Sequence, residues 1–238
     1  MTAAIDWTHR SDRTEWLDEA DINPVELERV LRDLAIFNGT FFGHLPILRW
    51  LGRAVRAAPK GAPMTLVDIG CGYGDLLREI RRWASRRSLD LRLVGIDLNA
   101  ETVCIARRVT DPADRIEYRV MNALDLVSAE PVDFIVSSLL THHLSDGEIK
   151  DFLRLMENVA RRGWAVCDLQ RNRFLYYFIG LSSRVARIHP MVGDDGQISV
   201  TRSLRKPEWM QLIKDAGLPS DAVKINWFLF RFLVSRLR

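Results

Sequence analysis

The chain has 238 residues, of which 47% are hydrophobic and 27% are charged, and its formal net charge is +3. This length can bury one sizeable core, and the composition is typical of a globular domain, which excludes a disordered or fibrous chain. The arginines occur in scattered pairs, so we expect no nucleic-acid partner. No apolar stretch approaches the roughly 18 residues that a membrane helix needs, so we expect no membrane span.

The three cysteines, Cys71, Cys104 and Cys167, show no Cys-x-x-Cys spacing. An odd number of isolated cysteines is typical of buried thiols in a reducing compartment. The N-terminus lacks the basic and then apolar order of a signal peptide. We therefore predict a cytoplasmic protein.

The first predicted elements are helical. Residues 1–20 are polar and predict an arm. Asn23-Pro24 predicts a helix start, with Asn as N-cap and Pro at the first helical position, and Asn38-Gly39 predicts its end. A second amphipathic helix is predicted over 45–57. A short linker follows, containing Pro59, Gly61 and Pro63.

Strands and helices then alternate along the chain. The predicted strands cover 65–69, 91–97, 116–120, 132–139 and 164–169. Predicted helices begin at Asp75, at Asn99 and at Ser145, where Ser145 and Glu148 form a capping box. This alternation predicts a parallel sheet with helices on both faces.

The last third of the chain departs from this order. Residues 172–200 interrupt the alternation with a run of aromatic and aliphatic side chains. Pro207 predicts the start of a final helix, which Gly217 ends. Two β-rich pieces, 222–228 and 229–236, are too close together for a crossover helix and therefore predict an antiparallel hairpin.

A glycine-rich turn follows the first predicted strand of the alternating region. The segment reads Val67-Asp68-Ile69-Gly70-Cys71-Gly72-Tyr73-Gly74-Asp75-Leu76-Leu77. Because bare backbone lets a ligand approach closely, a strand, a glycine turn and a helix N-terminus predict a nucleotide-binding corner. A dinucleotide fingerprint, Gly-x-Gly-x-x-Gly, would place its third glycine at Asp75 or Leu77, and neither position is glycine.

The pattern Asp68-x-Gly70-x-Gly72-x-Gly74 instead resembles the first motif of class I S-adenosylmethionine (SAM)-dependent methyltransferases. The resemblance implies an α/β, Rossmann-like sheet of seven strands, mostly parallel with an antiparallel last strand. It implies SAM as cofactor and S-adenosylhomocysteine (SAH) as product. The methyltransferase domain would cover 59–238 with a substrate-lid insertion at 172–200, and 1–58 would be an added N-terminal helical extension or lid.

The resemblance also assigns cofactor-binding residues. Asp97 ends the second strand, where a carboxylate can accept hydrogen bonds from both ribose hydroxyls. The alternative, a cap of the next helix, is disfavoured because Asn99 is already a candidate for that position. Asp68 would lie near the amino-acid end of the cofactor or bond turn amides. The expected cofactor-binding residues are Asp68, Gly70, Cys71, Gly72, Gly74, Asp97, Leu98, Asn122, Ala123 and Ser138.

The segment Met121-Asn122-Ala123 is similar to the family's Gly-Asp-Ala segment, whose polar side chain and following amide meet the adenine edge. Asn122 stands where the family usually has an acid. Its side-chain oxygen can accept from an exocyclic amine, and an equally good alternative is an ordinary turn residue.

The fourth strand leads into Thr141-His142-His143-Leu144, which resembles the his-his-leu stretch of small-molecule methyltransferases. The chain lacks the Asn/Asp-Pro-Pro-Tyr/Phe box of adenine and glutamine N-methyltransferases. His143 and His142 are the candidate catalytic bases for a phenolic acceptor, and the alternative is that each is a structural hydrogen-bonder. No metal site is expected, since no third ligand has usable spacing from these histidines.

The acceptor is indicated more weakly. Aromatic residues at 174–181, together with Phe41-Phe42, could wall an apolar pocket or simply pack the core. The chain also resembles bacterial methyltransferases encoded beside type III polyketide synthases, which implies a phenolic or polyketide-like acceptor. We expect a small apolar or phenolic acceptor, methylated at oxygen rather than at carbon or nitrogen. The alternatives are an NAD(P)-dependent Rossmann oxidoreductase, an RNA methyltransferase and a non-catalytic partner protein with this fold.

Overall fold

The fold is built on a seven-stranded sheet. The structure is a computed structural model that describes residues 5–18, 22–58, 63–126, 131–185 and 188–238. The strands in these residues are β1 (Met64–Ile69), β2 (Leu91–Asp97), β3 (Ile116–Val120), β4 (Val132–Ser138), β5 (Ala160–Leu169), β6 (Lys224–Phe228) and β7 (Arg231–Leu237). The α-helices are α1 (Pro24–Thr40), α2 (Leu45–Arg56), α3 (Asp75–Ser85), α4 (Ala100–Val109), α5 (Asp146–Val159), α6 (Arg173–Val185), α7 (Pro190–Arg202) and α8 (Lys206–Asp215).

The strand order is β3-β2-β1-β4-β5-β7-β6. The pairs among β1 to β5 are parallel, and β7 runs antiparallel to both β5 and β6. This confirms the predicted Rossmann-like class and its terminal hairpin. The strand order reverses between β1 and β4, and ligands of open α/β sheets bind outside the carboxyl ends of the strands at such a switch point.

Helices cover both faces of the sheet. On one face, Trp50 of α2 and Ile80 of α3 are fully buried against the strands. On the other face, Phe152 of α5 and Trp209 of α8 lie in a second apolar cluster. The burial of each of these side chains contributes about 1.5–3 kcal/mol to the stability of the fold. The two layers of helices therefore hold the carboxyl edge of the sheet in a fixed position.

Most helix starts match the predicted caps. The Asn23 side chain accepts a hydrogen bond from Val25 N at 2.9 Å, and the Ser145–Glu148 capping box is present. The predicted end of α1 at Asn38-Gly39 is wrong, because the helix continues to Thr40. Asn38 is buried inside it, and the chain turns instead at Phe42, whose φ is 55°.

The fifth strand is longer than predicted. It begins at Ala160, directly after α5, rather than at Trp164. The polar residues Arg161 and Arg162 hide this start in the sequence, since alternation or an apolar run is what marks a strand. Parts of the predicted linker, Pro59 and Gly61, lie outside the described residues.

The N-terminal residues 5–18 lie against the carboxyl edge of the sheet as an arm that ends in a short 3₁₀ turn, Trp16–Asp18. Arg10 donates to Leu144 O at 2.8 Å, and Ser11 N donates to Thr201 O at 3.1 Å. The arm predicted from its polar composition therefore has fixed contacts. Among the described helices, none is both long and apolar enough to cross a membrane.

Candidate functional site

The glycine turn after β1 has three residues in the left-handed region. Gly70, Gly72 and Gly74 have φ values of 71°, 49° and 74°. A Cβ on Gly72 would meet nothing within 4 Å, whereas a Cβ on Gly74 would lie 2.3 Å from Tyr118 Oη. Gly72 thus leaves the turn open to a ligand, and Gly74 makes room for the packing of Tyr118.

Asp97 holds this turn from the end of β2. Its two carboxylate oxygens accept from Gly72 N and Asn99 N, each at 3.0 Å. Burial raises the pKa of Asp97, and these backbone donors oppose the rise. Each carboxylate oxygen can accept a further hydrogen bond, so the group can bind a ligand while it still holds the turn. The neighbouring Leu98 is exposed.

Asp68 lies at the carboxyl end of β1 and is 1% exposed. Its Oδ1 has no hydrogen-bond partner in the described structure. Burial, with the charges of Asp75 and Asp97 nearby, raises the pKa of Asp68 well above its ordinary value. A buried carboxyl oxygen without a partner is costly, so this atom is available to a polar ligand group.

These residues border a cavity of ≈ 110 Å³, which we call the glycine cavity. Its lining includes five of the expected cofactor-binding residues, namely Asp68, Gly70, Cys71, Gly72 and Ser138. Helix α1 covers it with Leu31, Leu34, Ala35 and Asn38. The glycine turn, the ends of β1 and β4 and an N-terminal helix therefore enclose one space.

The other expected cofactor residues lie outside this lining. Gly74 packs against Tyr118. Asp97 is joined to the cavity lining by the hydrogen bond that it accepts from Gly72 N. Asn122 is exposed, and its side chain accepts from Leu124 N at 3.0 Å as the cap of a 3₁₀ turn that begins at Ala123. The turn alternative for Asn122 is thus present in the structure.

His44 is a further polar residue of the glycine cavity that the sequence did not suggest. Its Nε2 lies 3.1 Å from Asp75 Oδ2, and its Nδ1 lies 2.6 Å from Glu79 Oε2. Burial alone would lower the pKa of His44, but hydrogen bonds to the two carboxylates outweigh it and raise the pKa to about 9. His44 therefore places a cation beside the turn.

A second cavity, of ≈ 80 Å³, lies next to the first, and we call it the histidine cavity. Its apolar lining includes Leu34, Phe37, Leu139, Leu169, Ile179 and Val192. Leu34, Asn38 and Leu139 line both cavities. Leu139 has a φ of 58°, a strained conformation for a side chain of this kind, at the point where β4 ends between the two spaces.

The two expected catalytic residues, His142 and His143, line the histidine cavity. His142 is buried, and its Nδ1 lies 2.7 Å from Asp168 Oδ1, while His143 is partly exposed and its Nδ1 lies 2.8 Å from Asp18 Oδ1. Burial alone would raise the pKa of Asp168, but His142 and Thr141 lower it to about 2. Asp168 is therefore a carboxylate that orients His142.

Glu15 from the N-terminal arm completes this group, and no sequence signal pointed to it. It is 3% exposed, and burial raises its pKa to about 7. Its Oε1 accepts from Ser199 Oγ at 3.0 Å. Ligand atoms of Glu15, His142 and His143 all lie within 4.8 Å of one another, a spacing at which a metal ion could be held.

A buried cation lies at another wall of the histidine cavity. Arg231 is 6% exposed and donates from Nη2 to Asn38 Oδ1 at 3.0 Å. Its Nη1 has no hydrogen-bond partner in the described structure. A buried guanidinium N–H without a partner favours a ligand that carries an oxygen acceptor.

Comparison with known proteins shows similarity to methyltransferases over part of the chain. Residues 66–163 match the family model described as a methyltransferase domain. The methoxy mycolic acid synthase MmaA3 of Mycobacterium tuberculosis is 30% identical over 97 residues, which are 40% of this chain and 31% of that protein. The chain thus matches about a third of the length of this curated relative.

Two solved structures illustrate the fold. The plantazolicin methyltransferase BpumL, in complex with a monoazolic desmethylPZN analog and SAH, superposes with a TM-score of 0.63 at 16% identity, over 90% of this chain and 98% of that chain. Magnesium protoporphyrin IX methyltransferase (ChlM) from Synechocystis PCC 6803, with bound SAH, has a TM-score of 0.55 at 10% identity, over 92% and 89%. At these identities the likeness shows the shared fold.

Proposed function

We propose that the protein is a class I SAM-dependent methyltransferase that transfers the methyl group of SAM to a small apolar or phenolic acceptor, at oxygen rather than at carbon or nitrogen. The class and its cofactor rest on the methyltransferase-domain match and on neighbours solved with SAM and SAH. The observation that carries the acceptor proposal is the wall that two cavities share, formed by Leu34, Asn38 and Leu139.

The cofactor would occupy the glycine cavity. Its ribose hydroxyls would donate hydrogen bonds to Asp97. The cofactor would lie against the open side of the Gly72 backbone, and its amino-acid end would lie near Asp68. The adenine edge would lie near Asn122 and Ala123, for which the exposure of Asn122 leaves room. Class I folds place such ligands at the carboxyl edge of the sheet.

The acceptor would occupy the histidine cavity. Apolar side chains form most of its lining, and the polar groups His143 and Arg231 lie at its walls. A sulfonium already activates the methyl group, so alignment supplies most of the catalysis. His143 would take the proton of the acceptor hydroxyl, and the free Nη1 of Arg231 would hold the developing oxyanion.

The N-terminal extension, 1–58, and the insertion, 172–200, would act as lids. Both contribute side chains to the histidine cavity, with Glu15 and Val30 from the extension and Ile179 and Val192 from the insertion. We place the protein in the cytoplasm, where the free thiols of Cys71, Cys104 and Cys167 would stay reduced.

Ligand-induced thermal shift tests the cofactor assignment. We expect SAM and SAH to raise the melting temperature, because a ligand that binds only the folded state stabilises it, and we expect no shift with NADH. A shift with NADH alone would favour the oxidoreductase alternative. Tight tRNA binding with a steep salt dependence would favour an RNA methyltransferase.

A panel of labelled-methyl transfer assays tests the acceptor class. Phenols with alkyl substituents of increasing length are compared with matched anilines and with carbon nucleophiles of similar size. We expect transfer to the phenols, and Arg231→Met should lower kcat/KM by at least about tenfold, the size of one charge-assisted hydrogen bond. Preferred transfer to the anilines or to carbon would contradict methylation at oxygen.

A further inference from the structure

We infer that Glu15, His142 and His143 form a binding site for a divalent first-row transition metal ion, such as Zn²⁺. All three side chains line the histidine cavity, and their ligand atoms lie within 4.8 Å of one another. Two imidazoles and one carboxylate are a ligand set that binds Zn²⁺ in proteins with one position left open. The sequence did not suggest this site because the third ligand comes from the N-terminal arm.

The hydrogen bonds of both histidines prepare them as ligands. Nδ1 of His142 lies 2.7 Å from Asp168 Oδ1, and Nδ1 of His143 lies 2.8 Å from Asp18 Oδ1. An ionised carboxylate can only accept, so each Nδ1 carries the proton and donates it. In the neutral ring the lone pair is then on Nε2, the arrangement in which metal-bound histidines are usually held by a second carboxylate.

Both Nε2 atoms face the carboxylate of Glu15. His142 Nε2 lies 3.7 Å from Oε1, and His143 Nε2 lies 3.7 Å from Oε2. These separations are too long for hydrogen bonds. Two ligands about 2.0–2.1 Å from one tetrahedral Zn²⁺ lie roughly 3.3–3.4 Å apart, so each histidine would move a few tenths of an ångström closer to the carboxylate oxygen it faces when the ion binds.

The carboxylate of Glu15 is held in place by its surroundings. Asp195 accepts from Trp16 N at 2.8 Å and from Leu17 N at 3.2 Å, which fixes the backbone that follows Glu15. Ser199 Oγ donates to Glu15 Oε1. A site whose ligands are already positioned loses little conformational entropy when it binds an ion.

The loop that carries the histidines is fixed in the same way. Arg202 donates to His142 O at 3.0 Å and to His143 O at 3.1 Å, and it also donates to Asp18 Oδ2 at 2.7 Å. Asp18 thus joins His143 to a fixed guanidinium.

Glu15 also lacks a permanent cation. Among the described residues, no Lys or Arg nitrogen lies within ion-pair distance of its carboxylate, and the ionisable side chains at that distance are the two histidines. A buried carboxylate without a cation is costly. A bound dication would compensate it.

The open position of the ion would face the histidine cavity. This last step rests on the proposed function, because an acceptor hydroxyl in that cavity could bind there and lose its proton more readily, as water does on Zn²⁺. With the ion bound, Nε2 of His143 would be a ligand instead of the base named above, and solvent water would take that proton. The existence of the site does not depend on methyl transfer.

Metal binding by the full chain tests the inference. Chelator-treated protein is titrated with Zn²⁺ by calorimetry, and Co²⁺ is added in parallel to follow its visible absorption. We expect one ion per chain and Co²⁺ bands typical of a site with nitrogen ligands. Glu15→Gln and His143→Gln should each raise the Kd for Zn²⁺ by more than about tenfold, and Asp18→Asn by about 10–100-fold.

His9→Gln is the matched control, because His9 also lies beside a carboxylate, Asp6, but on the exposed surface. It should leave Zn²⁺ binding unchanged. SAH binding, measured on the same samples, shows that each variant is folded and separates loss of the metal site from failure of the proposed function. Absence of one-to-one binding by the wild type, or equal affinity in Glu15→Gln, would overturn the inference.

Discussion

The carboxylate of Asp97 accepts a hydrogen bond from Gly72 N at 3.0 Å and so joins the end of β2 to the most open residue of the glycine turn. Residues 25 positions apart in sequence are thereby held as one unit at the switch point of the sheet. A ligand on Gly72 would lie within reach of the same carboxylate, which is the basis of the cofactor assignment.

Replacement of Asp97 by Ala should weaken SAH binding. The ribose hydroxyls would lose a charge-assisted acceptor, which costs about 2–3 kcal/mol. Calorimetry of the folded variant measures this loss. Asp221→Ala removes an exposed carboxylate before β6 and is the control that should bind as the wild type does. Unchanged affinity in Asp97→Ala would remove Asp97 from the site.

The glycines of the turn should separate into two roles. Gly74→Ala should destabilise the fold by more than about 2 kcal/mol, because its Cβ would strike Tyr118 and its φ is 74°. Gly72→Ala has room for the Cβ, so it should show only the strain of its left-handed φ, about 1–2 kcal/mol, together with weaker SAH binding.

Urea unfolding and SAH calorimetry on both variants check these roles. Gly39→Ala is the control, since a Cβ there meets nothing within 4 Å and the residue is helical. Gly39→Ala should leave the free energy of unfolding unchanged or raise it slightly. The assignment would be wrong if Gly74→Ala destabilised the fold less than Gly72→Ala does.

The pH dependence of stability should report His44. Its pKa is raised from 6.5 to about 9, so its stabilisation is fully present below pH 6.5 and is lost as the pH rises through about 9. The effect is on the order of 3 kcal/mol. The difference in unfolding free energy between the wild type and His44→Gln should therefore shrink between pH 6 and pH 10.

Urea midpoints at both pH values measure this difference. His9→Gln is the control, because His9 is exposed, and it should give no comparable change between the two pH values. A constant difference for His44→Gln would show that the bonds to Asp75 and Glu79 do not hold a proton on His44.

Two adjacent aspartates should differ in their effect on the N-terminal arm. Asp195 is buried and accepts from Trp16 N and Leu17 N, whereas Asp194 is exposed. Asp195→Ala should leave these donors unsatisfied and speed tryptic cleavage after Arg13. Trypsin should cleave the Asp194→Ala variant at the wild-type rate. Equal rates for the two variants would show that Asp195 does not hold the arm.

The sheet and its glycine turn could be predicted from the sequence because their signals are local. Residues 93–96 are an apolar run followed directly by an acid, Asp97, and the Ser145–Glu148 capping box marks a helix start directly. The fold class follows from the alternation of such segments. The start of β5 was missed because Arg161 and Arg162 carry no strand pattern.

The site residues that the sequence did not indicate, Glu15 and His44, are brought to the site by tertiary contacts. Glu15 lies in a polar segment without periodicity, and its burial arises only when the arm packs on α7. His44 precedes α2, and its partners lie on α3. No spacing rule links such positions, so the sequence could indicate the histidines of the cavity but not the carboxylate that faces them.

A crystal structure with bound SAH tests the central claim most directly. We expect the nucleoside against Gly72 in the glycine cavity, with both ribose hydroxyls within hydrogen-bond distance of Asp97. SAH bound elsewhere, or Asp97 turned away from the ribose, would contradict the account.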